Sequence, residues 1–343
     1  MVTSVDVAEF AGVSQSTVSR VLNDDPAVRP ATREKVLAAA AELGYVVNIS
    51  ARSLVTRRTR TVGLVVADTA NLFYPQIIHL MNRELAARNY QMVMIRESLD
   101  SPDSLAGAAL QELPVDGAIF ASATEGSPTV KRFKERSLPI VLFNRDDPSV
   151  EAEVLLPDDE SGCRQVADHL VGLGHTRIGL ITGSWSTTSG RQREESFRSA
   201  LEGHGLSLPE DMVERGFLDH DTGSALTRKL LAASNPPTAI FCGSDMLAIG
   251  ALDAAAELGV KVPGGLSVVG FDDLEPASWK MINLSTVHQP LNDMAREAVA
   301  MLVDHLEGRR EQRPGRRVFP VELIVRGTSA PPAPSSLRKH LGA

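Results

Sequence analysis

Apolar positions near the start of the chain recur at helical spacing, in three short groups. In "VAEFAGVSQSTVSRVLN", Val7, Phe10 and Ala11 fall on one side of a first helix. Gly12 permits the left-handed turn that a side chain would resist. Ser14 suits the cap of a second helix, which directs Val18, Val21 and Leu22 inward and Gln15, Ser16, Ser19 and Arg20 outward. A third helix opens at "RPATREKVLAAAAELGY". Pro30 fits the first helical position, Glu34 the positive end and Gly44 the stop, while Val36, Leu37, Ala40 and Leu43 cover the first two helices. Three helices this short make a minimal core.

From Thr61 onward the pattern changes to short apolar runs alternating with helical stretches. "TVGLVVAD", "YQMVMIRES", "PIVLFNRDD", "TRIGLITGS", "TAIFCGSD" and "LSVVGFDDL" read as strands, and "YPQIIHLMNRELAARN" as a helix between two of them. Strand then helix, repeated, predicts an α/β body of parallel sheets with helices on both faces. Two such units in tandem meet across a crevice, and ligands sit at the carboxyl ends of the strands. The polar residues that follow the apolar runs are Asp68, Asn144 with Arg145, Ser184, Ser244 with Asp245, and Asp272 with Asp273. Arg193 lies on the helical pattern after "GSWSTTSG". A carboxylate and a guanidinium aimed at one crevice each bind two neighbouring hydroxyls, or a carboxylate or carbonyl. Any single strand-end carboxylate is equally at home as a loop cap.

Composition narrows the function class. A chain of 343 residues, 43% hydrophobic and 23% charged, is an ordinary globular composition of two or three domains. No apolar run reaches the ~18 residues of a membrane span. Asp6 and Glu9 occupy the place of a signal-peptide core, so a soluble cytoplasmic protein is expected. Cys163 and Cys242 lack metal-ligand spacing and are expected buried and reduced. The net charge of -8 argues against nucleic acid until its distribution is considered: residues 1–60 carry eight Lys/Arg against six Asp/Glu, so the start is +2 and the rest -10. A mildly basic head on an acidic body fits a small DNA-binding module, strengthened in two copies. A helix exposing Gln, Ser, Thr and Arg is equipped to read base edges and hold phosphates, although an ordinary helical hairpin has the same periodicity. "GLITGS" and "SWSTTSG" fit neither a nucleophile elbow nor a phosphate loop, and "VGFDD" has no accompanying His cluster. No enzyme, metal or cofactor is expected.

"DVAEFAGVSQSTVSRVLN", "TREKVLAAAAELGYVVN" and "ARSL" resemble the lac repressor (LacI/GalR) family of bacterial transcription regulators, and the resemblance extends over almost the whole chain. It implies a helix-turn-helix head followed by a two-lobed, periplasmic-binding-protein-like body. By that resemblance Gln15, Ser16 and Arg20 read the major groove, and Thr17, Ser19 and Asn23 contact phosphate. Ala51 and Leu54 match the hinge helix, where the leucine wedges a minor-groove base step. Arg193 and Asp272 match the commonest effector-contacting positions, Asn144 and Ser244 secondary ones, and Phe73 and Tyr74 the aromatic stretch of the first lobe. The residue expected to stack a ring on the ligand is Leu218, so the ring is expected from Trp185 or Phe217.

Two further departures are Val47, where many members have Pro, and Arg29, where many cap the third helix with Ser or Thr. The implied organisation is a DNA-binding domain at 1–46, a hinge helix and linker at 47–60, an effector-binding and dimerisation domain at 61–328, and a Pro-rich, disordered tail at 329–343. The tail lacks the leucine heptads of a tetramerisation zipper, so a homodimer on palindromic operator DNA is expected, switched by a small effector, a sugar or sugar derivative. A purine-like or protein co-effector, or no effector, remains compatible with the same lobes.

Overall fold

The computed structural model describes residues 2–22, 25–45, 58–67, 71–97 and 114–333. Asn23, Asn48, Ala51, Leu54 and Asp68 lie outside the described residues, as does Val47. The chain divides into two compact units, 1–59 and 60–343.

The first unit is helical. Helix α1 (Ser4–Ala11) starts with a capping box: the Thr3 hydroxyl accepts from the Asp6 amide, and the Asp6 carboxylate accepts from the Thr3 amide at 2.7 Å. It stops at Gly12, whose φ of 60° is the left-handed conformation. The Ser14 hydroxyl accepts from the Thr17 amide ahead of α2 (Gln15–Leu22), and Pro30 opens α3 (Pro30–Glu42) behind an Arg29 that makes no side-chain cap bond. Val7, Ala8 and Ala11 pack with Val18, Val21, Val36, Ala39 and Ala40. The expectation that Phe10 and Leu37 face inward is corrected: they are 54% and 48% exposed. Each sits about 100° around its helix from the middle of the buried stripe, where small Ala8, Ala39 and Ala40 let the helices approach instead.

The second unit holds two six-stranded sheets. The first contains β1 (Thr61–Val66), β2 (Gln91–Arg96), β3 (Gly117–Phe120), β4 (Ile140–Phe143), β5 (Glu153–Pro157) and β11 (Gly315–Phe319), in the order β11-β5-β4-β3-β1-β2, all parallel. The second contains β6 (Ile178–Gly183), β7 (Val213–Gly216), β8 (Ala239–Cys242), β9 (Ser267–Asp272), β10 (Ser285–His288) and β12 (Glu322–Ile324), in the order β12-β10-β9-β8-β6-β7, with only β12 antiparallel to its neighbour. Strands buried on both faces need helices on both faces. In the first sheet Val62, Leu64 and Val66 point to a core shared with α4 (Phe73–Ala86) and α10 (Leu291–Leu306), while Val65 points to one shared with α5 (Pro128–Glu135). In the second, Val269 and Phe271 face α6 (Asp159–Gly172) and α7 (Thr188–Gly203), while Val268 faces α8 (His220–Leu231) and α9 (Asp245–Glu257).

The chain passes between lobes three times, after β5, after β10 and between β11 and β12, and Pro157, Pro290 and Pro320 stand at these passages. Ser329 and Ala330, expected within the tail, are bonded to the end of the second sheet. The Ala330 amide donates to the Ser267 hydroxyl at 3.0 Å, and Ser329 bonds His169, because the buried hydroxyls at this sheet end need partners. His175 is buried here between Thr238 and Ser267, a structural histidine. Cys163 and Cys242 are buried and unpaired, and burial pushes both thiols up. No described helix is long and apolar enough to cross a membrane.

Candidate functional sites: the α2 face and the interlobe cleft

In the helical unit, Gln15, Ser16, Ser19 and Arg20 are all exposed, and Thr17 is half-buried. The Gln15 amide donates to the Ser4 hydroxyl at 3.0 Å, tying the start of α2 to α1. Ser14 bonds the hydroxyls of both Ser16 and Thr17 at 2.8 Å. The exposed turn thus carries donors and acceptors held by short local bonds, with Arg20 one turn further on.

In the two-lobed unit a cavity of about 620 Å³ lies between the sheets' carboxyl ends. Asn71, Tyr74 and Arg145 line it from the first lobe, Ser186, Phe217 and Leu218 from the second. The Asn71 amide donates to the Leu218 carbonyl at 2.6 Å, bridging the lobes, while its oxygen accepts from the Phe73 amide at the head of α4. A small recess continues inward to Phe73, Asn144, Ser189, Arg193 and Asp272.

Arg193 comes from the first turns of α7 and is 3% exposed. Its Nε donates to Asp159 at 2.9 Å, and Nη1 donates to the Gly243 carbonyl at 2.6 Å and reaches Asp272 at 3.5 Å. The guanidinium stacks 3.7 Å above the Phe271 ring. Nη2 has no partner. Asp272 ends β9 with φ of 122°, and Asn144 follows β4 with φ of 63°. Non-glycine residues at positive φ cost of order 1–3 kcal/mol and persist where the surroundings impose them. Here each turns a strand-end side chain toward the crevice, one from each lobe.

Burial pushes the Asp272 carboxyl up to about 6, against the pull of Arg193 and of the Gln289 amide, which donates at 2.6 Å. Burial also raises Asp159, opposed by Arg193. Asp245 lies well above the usual carboxylate range, through burial and then the Asp272 charge. Its oxygens accept from the Thr286 hydroxyl and the Leu274 amide, so it braces the end of β9 rather than facing the cavity. Burial weakens the charge of Arg193, yet Asp159 and Asp272 more than restore it.

Phe73, Tyr74, Asn144, Arg193 and Asp272 therefore converge on the recess or its approach. Ser244 does not. It is buried, its hydroxyl caps α9 by accepting from the Leu247 amide, and the preceding Gly243 offers its carbonyl to Arg193 instead. Trp185 also stands outside the lining. Its indole donates to Glu194 at 2.8 Å and lies near Arg215, which holds the ring against the outer side of α7. Glu194 stays below the usual carboxylate range despite burial because Arg215 and Trp185 bond it. Of the two expected alternatives, Phe217 is the one that lines the cavity, across from Tyr74 of the first lobe. Asn71, Asp159, Ser189 and Gln289 carry no signal of their own in the sequence. Asp159 and Gln289 both fall at lobe crossings: Asp159 after "EVLLP", a short strand that the apolar pattern does not single out, and Gln289 within "STVHQP", which resembles the family's return crossing.

Comparison with known proteins agrees with both halves. Residues 4–48 match the family of bacterial regulatory proteins, lacI family, and residues 167–329 a periplasmic binding protein-like domain. The chain is 34% identical over 333 residues to the HTH-type transcriptional regulator DegA of Bacillus subtilis, covering 96% of this chain and 98% of that one. Among solved structures it resembles a transcriptional regulator CelR–cellobiose complex (33% identity, 96% and 100% coverage, TM-score 0.73). It also resembles the lac repressor dimer bound to operator and the anti-inducer ONPF (29% identity, 96% and 99% coverage, TM-score 0.84). With its helix-turn-helix and its two parallel-sheet lobes, this chain belongs to the LacI family of bacterial transcriptional regulators.

Proposed function

We propose that the protein is a homodimeric, cytoplasmic repressor that binds a palindromic operator and is switched by a sugar or sugar derivative held between its lobes. Two heads occupy successive major-groove half-sites, with Gln15, Ser16 and Arg20 toward base edges and Thr17, Ser19 and Asn23 toward phosphates. In this reading residues 1–46 bind DNA, 47–60 supply the hinge with Ala51 and Leu54 in the minor groove, and 61–328 bind the effector and dimerise.

The observation that carries the effector reading is the recess itself. Donors and acceptors without partners line it: Arg193 Nη2 and Arg145 Nη1 are open donors, and Asn144 Oδ1 is an open acceptor. A polyhydroxylated ligand satisfies both kinds at once, because each hydroxyl donates and accepts. The relatives with cellobiose or with operator DNA support the same assignment. The site binds rather than catalyses: its carboxylates are engaged by Arg193, and Glu125 at the rim pairs with Arg191.

Operator binding followed by fluorescence anisotropy on DNA selected by the protein tests the head. Arg20→Ala should weaken specific binding by about 1–3 kcal/mol while leaving effector binding intact. An unchanged affinity removes Arg20 from the reading face. Leu54→Ala should weaken specific binding more than non-specific binding, and equal losses on both DNAs would count against an inserted hinge.

A further inference from the structure

The two guanidiniums of the cleft are in different states. Arg193 is matched by Asp159 and Asp272. Arg145 is 8% exposed, its Nη1 has no hydrogen-bond partner, and no carboxylate of the described residues lies within ion-pair distance of it. It lines both the large cavity and the inner recess. None of the acids near it in sequence or in the cavity lining pairs with it. Glu125 pairs with Arg191, Asp146 with Arg316, and Asp219 caps α8 through the Thr222 amide. One Asp147 oxygen holds the Gly126 amide and Ser149, and the other is buried without a partner, outside ion-pair distance of Arg145. A buried cation without a counter-charge costs several kcal/mol of desolvation, so a protein that keeps one facing a binding cavity has a use for it. A neutral hydroxyl would return a hydrogen bond to Arg145 but not the charge; an anionic oxygen returns both and fits the planar fork.

We infer that the effector is an anionic sugar, a sugar acid or sugar phosphate, whose carboxylate or phosphoryl group is held by Arg145 while its hydroxyls face Arg193, Asp272 and Asn144. The inference rests on the cleft being the effector site and adds the charge of the ligand. Within the cleft the polar work is divided. Arg193, already neutralised, gains little from a second anion, and the negative Asp272 repels one, so the ligand's anionic end is directed to Arg145.

The test uses the full-length protein at constant ionic strength. Melting temperature and calorimetric affinity are read with glucose, cellobiose, glucuronate, glucose 6-phosphate and inorganic phosphate. At least one anionic sugar should bind ten times or more tightly than its neutral parent, and Arg145→Gln should bring the two within about threefold. Glucuronate against glucose 6-phosphate separates carboxylate from phosphoryl recognition, and inorganic phosphate reports the anion subsite alone. Because Arg145 is unmatched, Arg145→Gln should also raise the ligand-free melting temperature, by about 2 °C. Arg145→Lys keeps the charge without the fork, so it should preserve the preference for anions at reduced affinity, and it serves if the glutamine variant misfolds. Neutral sugars binding the wild type and Arg145→Gln alike, with no gain from the anion, would overturn the inference and leave the sugar-binding cleft standing. Silence of every probe on a well-folded protein would overturn both.

Discussion

The two lobes meet their common crevice with side chains satisfied to different degrees. On the second, Arg193 is fixed by Asp159, the Gly243 carbonyl and the Phe271 ring before any ligand arrives, with Nη2 left open. On the first, Asn144 and Arg145 hold buried polar atoms without partners. A preassembled face costs nothing further to organise when a ligand docks, whereas an unsatisfied face gains hydrogen bonds only on closure. An effector changes the balance between two states only through differential affinity, and the first lobe's unpaired groups are where that difference is largest.

The strongest way to break the contrast is Arg193→Ala. It leaves Asp159 and Asp272 buried without their cation and should cost 3–5 kcal/mol in denaturant unfolding, together with loss of effector response. A loss as small as that of a surface substitution would mean the charges are not matched as described. A step smaller, Gly250→Ala tests the scaffold behind that face. A methyl there would lie 2.0 Å from the His220 carbonyl where α8 and α9 cross, and should cost about 1–3 kcal/mol without altering which ligands bind.

Titration sharpens the comparison. Asp272 has its folded pKa raised from 3.8 to about 6, so its contribution to stability is largest below the unfolded value and is lost as pH rises through about 4–6. Asp245 is shifted in the same direction. The ionised Asp272 is the form that accepts a ligand hydroxyl, so effector affinity should rise by at most about tenfold from pH 5 to pH 7. A flat profile in calorimetry would remove Asp272 from the contact set. The smallest effect is expected for Asn144→Ala: about 1 kcal/mol of stability, because alanine tolerates left-handed φ less well than asparagine, and a comparable loss of ligand affinity.

The sequence shows the architecture more readily than the partners of each side chain. Strands such as "TVGLVV" and "LSVVGF" are continuous apolar runs because both faces are covered, and their polar ends point to the crevice. Short or edge strands escape this signal: "GRRVF" is largely exposed and charged, as an unpaired edge should be, and "VERG" has no apolar alternation. Periodicity placed Phe10 and Leu37 inward because it counts hydrophobicity but not side-chain volume. Ser244 and Asp272 both follow apolar runs, yet one caps a helix and the other enters the recess; backbone φ separates them, and φ at a strand end is not written in residue type. The pairing of Arg193 with Asp159 depends on the lobe crossing after "EVLLP", a tertiary fact.

That crossing, repeated twice more, has a consequence for how the protein is made. The face of the first sheet carrying Val62, Leu64 and Val141 is completed by α10, with Met294, Val299 and Leu302, and its edge by β11. The ribosome delivers these segments only after β6 to β10 of the second lobe have emerged, with β12 alone among its strands still to follow. The lobe whose translation begins first therefore waits on segments made near the end, and nascent chains ending anywhere before α10 present an incompletely covered apolar sheet to chaperones and proteases. A premature stop late in the gene would thus damage the early-made lobe, and with it the cleft wall that carries Arg145.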